Sequence, residues 1–87
     1  MDENKKMVTE RMFCLFRECR AYHDLINMEY VEQDYGREAV VLTFKHKSHD
    51  SNGNETEYLE RQYVNVTADS GCAMIQDVWK FMWARAN

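Results

Sequence analysis

The chain has 87 residues, 30% of them charged, and a formal net charge of −4 at pH 7. That length holds one small domain, residues 1–87, with little core to spare, and the negative balance argues against a dedicated nucleic-acid binder, whose affinity comes from basic side chains neutralising phosphates. No apolar run approaches the roughly 18 to 20 residues that span a bilayer, and the polar Met1–Lys6 does not begin as a secretory signal does, so the expected location is the cytoplasm of the host cell.

Met1–Lys6 is expected to fray. From Met7 to Ile26, Val8, Met12, Leu15, Phe16, Cys19, Tyr22 and Ile26 recur at intervals of three and four, which gathers them on one face of an α-helix. Arg11, Arg17, Glu18, Arg20 and Asp24 fall off that face and meet solvent, and Phe13 stands at its edge. After Asn27 the period changes: Met28, Tyr30 and Val31 among Glu29, Glu32 and Gln33 form a short first strand. Asp34-Tyr35-Gly36-Arg37 then turns the chain back, with Gly36 in a conformation that larger residues resist.

Glu38–Lys47 is the clearest strand, since Val40, Leu42 and Phe44 alternate with Val41, Thr43 and Lys45. Val41, apolar on the second face, marks it as the central one. Ser51-Asn52-Gly53-Asn54 is a hairpin turn in which Asn52 and Gly53 both tolerate positive φ. In the third strand, Glu55–Thr67, Val64 and Val66 share one face and Tyr63 and Asn65 the other, while Glu55, Glu57 and Glu60 gather towards a polar, projecting tip. Asp69 or Ser70 caps a final helix over Gly71–Arg85. Its inner stripe is Met74, Ile75, Val78 and Met82, flanked by Phe81 and Trp79, with Trp83 nearly opposite. The expected fold is α+β, in the order α-β-β-β-α: a three-stranded antiparallel meander with two helices packed on one face. The other face of the sheet is left open.

Few residues point to chemistry. Cys14, Cys19 and Cys72 are an odd number, and the first two lie five apart on a predicted helix, where side chains diverge, so free thiols are expected. Cys19 and His23 have a helical metal-ligand spacing but lack a second pair, and His46, His49 and Asp50 read as a solvated strand end. Cys72 opens the last helix, where a backbone N–H can activate a thiol; a small buried apolar residue is the plainer expectation. The isolated Gly36, Gly53 and Gly71 build no phosphate loop. Glu57 and Glu60 sit in a charged setting without a tuned acid and base. The reading is of a protein that is not an enzyme and has no metal or cofactor.

The α-β-β-β-α order resembles that of double-stranded RNA-binding domains, which imply a lysine cluster at the start of the last helix. Here that place reads Asp69-Ser70-Gly71-Cys72-Ala73-Met74. In size, acidic balance and element order the chain is similar to small phage-encoded inhibitors, anti-CRISPR proteins among them, and that resemblance implies a partner whose nucleic-acid site is covered.

The aromatic content favours protein recognition, because Tyr35, Tyr58, Tyr63, Trp79 and Trp83 exceed what so small a core absorbs. Acids at Glu29, Glu32, Asp34 and Glu38, then Glu55, Glu57 and Glu60, are expected to crowd one sheet edge and engage a basic surface. The leading expectation is a non-catalytic protein-binding module, an acidic inhibitor of a basic nucleic-acid-binding site, in which Glu32, Asp34, Glu55, Glu57 and Glu60 supply charge and Tyr35, Tyr58 and Trp83 supply anchoring area. One alternative is weak nucleic-acid binding by Arg37, Lys45, Lys47 and Arg61. Another is a self-associating subunit that pairs through its open sheet face.

Overall fold

Helix α1 (Glu3–Arg17) leads into strand β1 (Leu25–Glu32), strand β2 (Glu38–His49), strand β3 (Glu55–Asn65) and helix α2 (Gly71–Ala86) in the computed structural model, which describes residues 3–67 and 70–86. The sheet is antiparallel with the order β1-β2-β3, so the longest strand is central, as its two-sided apolar pattern requires. Tyr30 stands opposite Val40 on one side, and Val64 stands opposite Val40 on the other.

Both helices cover the same face of the sheet. Met12 and Phe16 of α1 and Met74, Val78 and Met82 of α2 meet Leu25, Met28, Tyr30, Val40, Leu42, Phe44 and Val64 in one core. The helices touch in step along their lengths. Thr9 meets Met74 near their starts, and the Phe16 and Trp79 rings stack 5.9 Å apart further on. On the open face Ala39, Val41 and Thr43 are nevertheless buried, because they lie mid-sheet between longer neighbours such as Arg61 and Tyr63.

Three local expectations are corrected. Residues 3–6, expected to fray, are helical, and Lys5 is only 2% exposed; Met1 and Asp2 lie outside the described residues. The first helix ends at Arg17 instead of reaching Ile26, giving way to a 3-10 turn at Arg20–Tyr22 and a longer β1. The cause is competition for the same apolar residues. Tyr22 packs edge-on against Phe16 at 5.2 Å, Leu25 pairs with Phe44 across the sheet, and Cys19 and Ile26 are left outside the core. Cys72 is exposed and, like Cys14 and Cys19, a free thiol.

The two turns use different devices. In Asp34–Arg37 both Tyr35 (φ 64°) and Gly36 (φ 74°) are left-handed, the paired conformation of a tight hairpin turn. In the β2–β3 turn only Gly53 (φ 83°) is left-handed, while the Asp50 carboxylate accepts hydrogen bonds from the N–H groups of Asn52 (2.9 Å) and Asn54 (2.8 Å). At the start of α2 the Ser70 hydroxyl accepts from Ala73 N–H at 3.0 Å, the cap expected of it; Asp69 lies outside the described residues.

The molecule is longer than its mass requires. Its radius of gyration is 14.6 Å and its longest dimension 49 Å, against about 12 Å for the radius of a compact chain of this length. The excess is the outer part of the β2–β3 hairpin, which extends beyond the helices as a two-stranded arm.

Candidate functional site

The acids do not form one rim. Glu32 and Asp34 sit at the β1–β2 turn, whereas Glu55 and Glu57 sit on the arm at the far end of β2, about 37 Å away at 3.4 Å per strand residue. They also lie towards opposite edges, because β1 and β3 flank the central strand. The expectation of a shared acidic edge fails because a meander puts successive turns at opposite ends of the sheet.

Several acids are also neutralised internally. Lys45 pairs with Glu57 at 3.0 Å and Lys47 with Glu55 at 3.4 Å, rungs of a ladder on the open face of the arm. On the helix-covered face, Arg85 reaches Glu60 at 2.8 Å and Asp24 at 3.6 Å, and His46 Nε2 lies 2.6 Å from Glu60. The Arg85 guanidinium caps the buried Phe44 ring, 3.7 Å from its centroid. Hydrogen bonds from Arg85 first, then Gln62 and His46, hold the Glu60 carboxyl at about 2, far below the ordinary carboxylate range. The same bond to Glu60 raises Arg85. This cluster closes the arm end of the core and offers no uncommitted acid.

A second polar cluster closes the other end. Lys5 Nζ donates to both Glu38 oxygens at 2.8 Å, and the Tyr30 hydroxyl donates to the same carboxylate. Burial first, then that hydrogen bond and the Glu38 charge, push the Tyr30 phenol well up.

The basic residues of the alternative reading are likewise divided. Arg37 is at the β1–β2 turn, Lys45 and Lys47 are occupied by the arm acids, and Arg61 lies opposite Thr43 on the open face. Around His46 a polar depression of about 410 Å³ is lined by His23, Asp24, Ile26, Lys45 and Lys47. Among the described residues no group of His, Cys, Asp and Glu is arranged to hold a metal ion, and no helix is long and apolar enough to cross a membrane.

What the structure does bring together is apolar. Leu15 (64% exposed), Trp79 (51%) and Trp83 (58%) join Ile75 on the outer side of the two helices. The two indoles stack with centroids 6.0 Å apart. Beside them Met12, Leu15, Phe16, Cys19, Ile75 and Trp79 line an apolar groove of about 160 Å³. The helical spacing in the sequence marks Trp83 as an outward ring and puts Leu15 and Ile75 in the core. Helical spacing alone places Leu15 beside Phe16, but the rotation of α1 is set by Lys5, Thr9, Met12 and Phe16, all buried. Tyr58 is exposed on the arm, tilted over His46 at 5.0 Å, and Tyr35, 97% exposed, tips the opposite turn. No protein-family model, curated protein or solved structure matches the chain.

Proposed function

We propose that this protein is a non-catalytic binding module that docks onto another protein through the ridge of Leu15, Ile75, Trp79 and Trp83. The supporting observation is the contiguity of that exposed apolar surface: stacked indoles beside an apolar groove, on rigid helices. Scattered exposed apolar residues are ordinary, but a joined patch on a small chain marks a contact surface. Tryptophan supplies large buried area on few rotatable bonds, which makes it a frequent anchor.

The narrower reading, an anti-CRISPR-like phage inhibitor that covers a basic nucleic-acid site, draws its support from the arm, where Glu55 and Glu57 project beyond the core. Both already face lysines, so the arm offers a basic partner an exchange of ion pairs and little uncompensated charge. Nucleic-acid binding has less support again, since its cations are split between two ends of the sheet.

Pull-down from a cell lysate with wild type and with Trp79→Gln/Trp83→Gln tests the reading. Loss of specific partners in a variant that keeps its circular dichroism spectrum is the expected result, with a lowered melting temperature because Trp79 also stacks on Phe16. Equal retention would sink it. A Glu55→Lys/Glu57→Lys arm variant run alongside tests the narrower form: partners lost there, but kept by the tryptophan variant, would move the contact surface to the arm.

A further inference from the structure

The geometry points to a second copy of this chain as the partner of the outer edge of β3, with the two strands running antiparallel about a two-fold axis at Leu59 to make one six-stranded sheet. This surface is separate from the aromatic ridge and does not depend on it.

The backbone sets the first condition. Val66 N–H donates to Glu38 O and Asp50 N–H to Asn54 O, each at 3.0 Å. In an antiparallel pair the bonded positions alternate, so the even-numbered residues of β3 spend their backbone groups on β2. Glu55, Glu57, Leu59, Arg61, Tyr63 and Asn65 therefore turn their N–H and C=O groups outward. Both helices lie against the covered face, so neither lies along this edge. β3 has 11 residues and no proline to interrupt it, and an exposed edge of that kind is a template for another strand.

The side chains set the register. Outward-facing residues can bond only to outward-facing residues of the second copy, which puts the two-fold axis at a residue and not between two, and a centre near the middle of β3 pairs most of the strand. Centring it on Glu57, Glu60 or Arg61 puts like charges face to face at the axis, a destabilising arrangement. Centring it on Leu59 places Leu59 against Leu59, Glu57 against Arg61 and Glu55 against Tyr63, with the same contacts repeated by symmetry. On the other face Tyr58 then meets Glu60. A centre at Tyr58 also joins opposite charges, Glu55 with Arg61, but it leaves Tyr63 unpaired and sets Glu57 against Leu59.

Arg61 has no acidic partner among the described residues, unlike Lys45, Lys47 and Arg85, which are all paired. The Glu57 carboxylate, already bonded to Lys45, has acceptor capacity for a second donor. Pairing also ends after one step. The edges left free belong to β1, which is shorter and carries a register shift between Leu25 and Asn27 that spoils it as a template.

Sedimentation velocity over a range from about 10 µM to about 1 mM tests this with the intact chain. The expected result is a reversible monomer–dimer equilibrium whose dissociation constant rises about tenfold or more in Arg61→Glu and in Glu57→Arg, each of which turns both ion pairs into like-charge contacts. Mixing those two variants restores complementarity and is expected to return a heterodimer. Leu59→Pro, which deletes an outward N–H while leaving the β2 ladder intact, is expected to be a folded monomer. Wild type that stays monomeric across the range overturns the inference. So does a dimer that survives Arg61→Glu and Leu59→Pro but dissociates in Trp79→Gln/Trp83→Gln, which would assign self-association to the aromatic ridge.

Discussion

The core is closed at its two ends by ionic clusters built in different ways. At one end Lys5 is almost wholly buried against Glu38 and Tyr30; at the other, Arg85 lies over Phe44 and binds Glu60 within reach of water. Taking a charge out of water is costly, and a buried pair recovers that cost only while both partners are present. A half-exposed network gives up less solvation and loses less when broken. The contrast predicts that sensitivity to mutation follows burial of the pair.

The largest effect is expected at the buried end. Lys5→Met should cost about 3 kcal/mol or more by removing the buried ammonium that donates to both Glu38 oxygens, and adding Glu38→Gln should recover part of the loss. Urea unfolding of the single and double variants measures both. An effect at Lys5 smaller than one at Arg85 would break the comparison.

At the half-exposed end Arg85→Ala should cost about 1 kcal/mol, mainly through the lost contact with Phe44 and its bonds to Glu60. The same cluster predicts a pH dependence. Glu60 is held at about 2, below its ordinary 4.5, so its stabilising contribution is complete above 4.5 and is lost as pH falls from there towards 2. Glu60→Gln and Arg85→Ala should both flatten that limb of the urea-midpoint profile. The smallest effect belongs to the exposed arm, where both members of the Lys45–Glu57 pair are well solvated. Lys45→Ala should change stability by less than about 0.5 kcal/mol, and added salt should reduce even that.

Most of the fold was legible from periodicity and turn chemistry. Val40, Leu42 and Phe44 against Val41 and Thr43 identified a central strand, and Met74, Val78 and Met82 gave the inner line of α2. The break after Arg17 was not legible, because neither glycine nor proline marks it and the apolar spacing continues past it. It exists because Leu25 gains more as a strand residue opposite Phe44 than as another turn of helix, a tertiary preference that no local signal carries. The burial of Lys5 is hidden from the sequence for a related reason. A lysine near the start of a chain is ordinarily solvated, and only the fold brings Glu38 and Tyr30 to it. As for the candidate surface, Trp83 was recognised, whereas Leu15 and Ile75 were hidden by their own hydrophobicity, since the features that make them binding residues also make them core residues.

The arm past the helices has room to change length. Because its rungs stand on the face away from the helices, inserting residues symmetrically about Asp50–Asn54, two on each strand at a time, would prolong the ribbon and keep every existing side chain on its present side. An odd insertion between Lys45 and Lys47 would instead turn Lys47 to the wrong side and undo its rung with Glu55. Divergence in reach can therefore proceed by even steps without disturbing the helical layer.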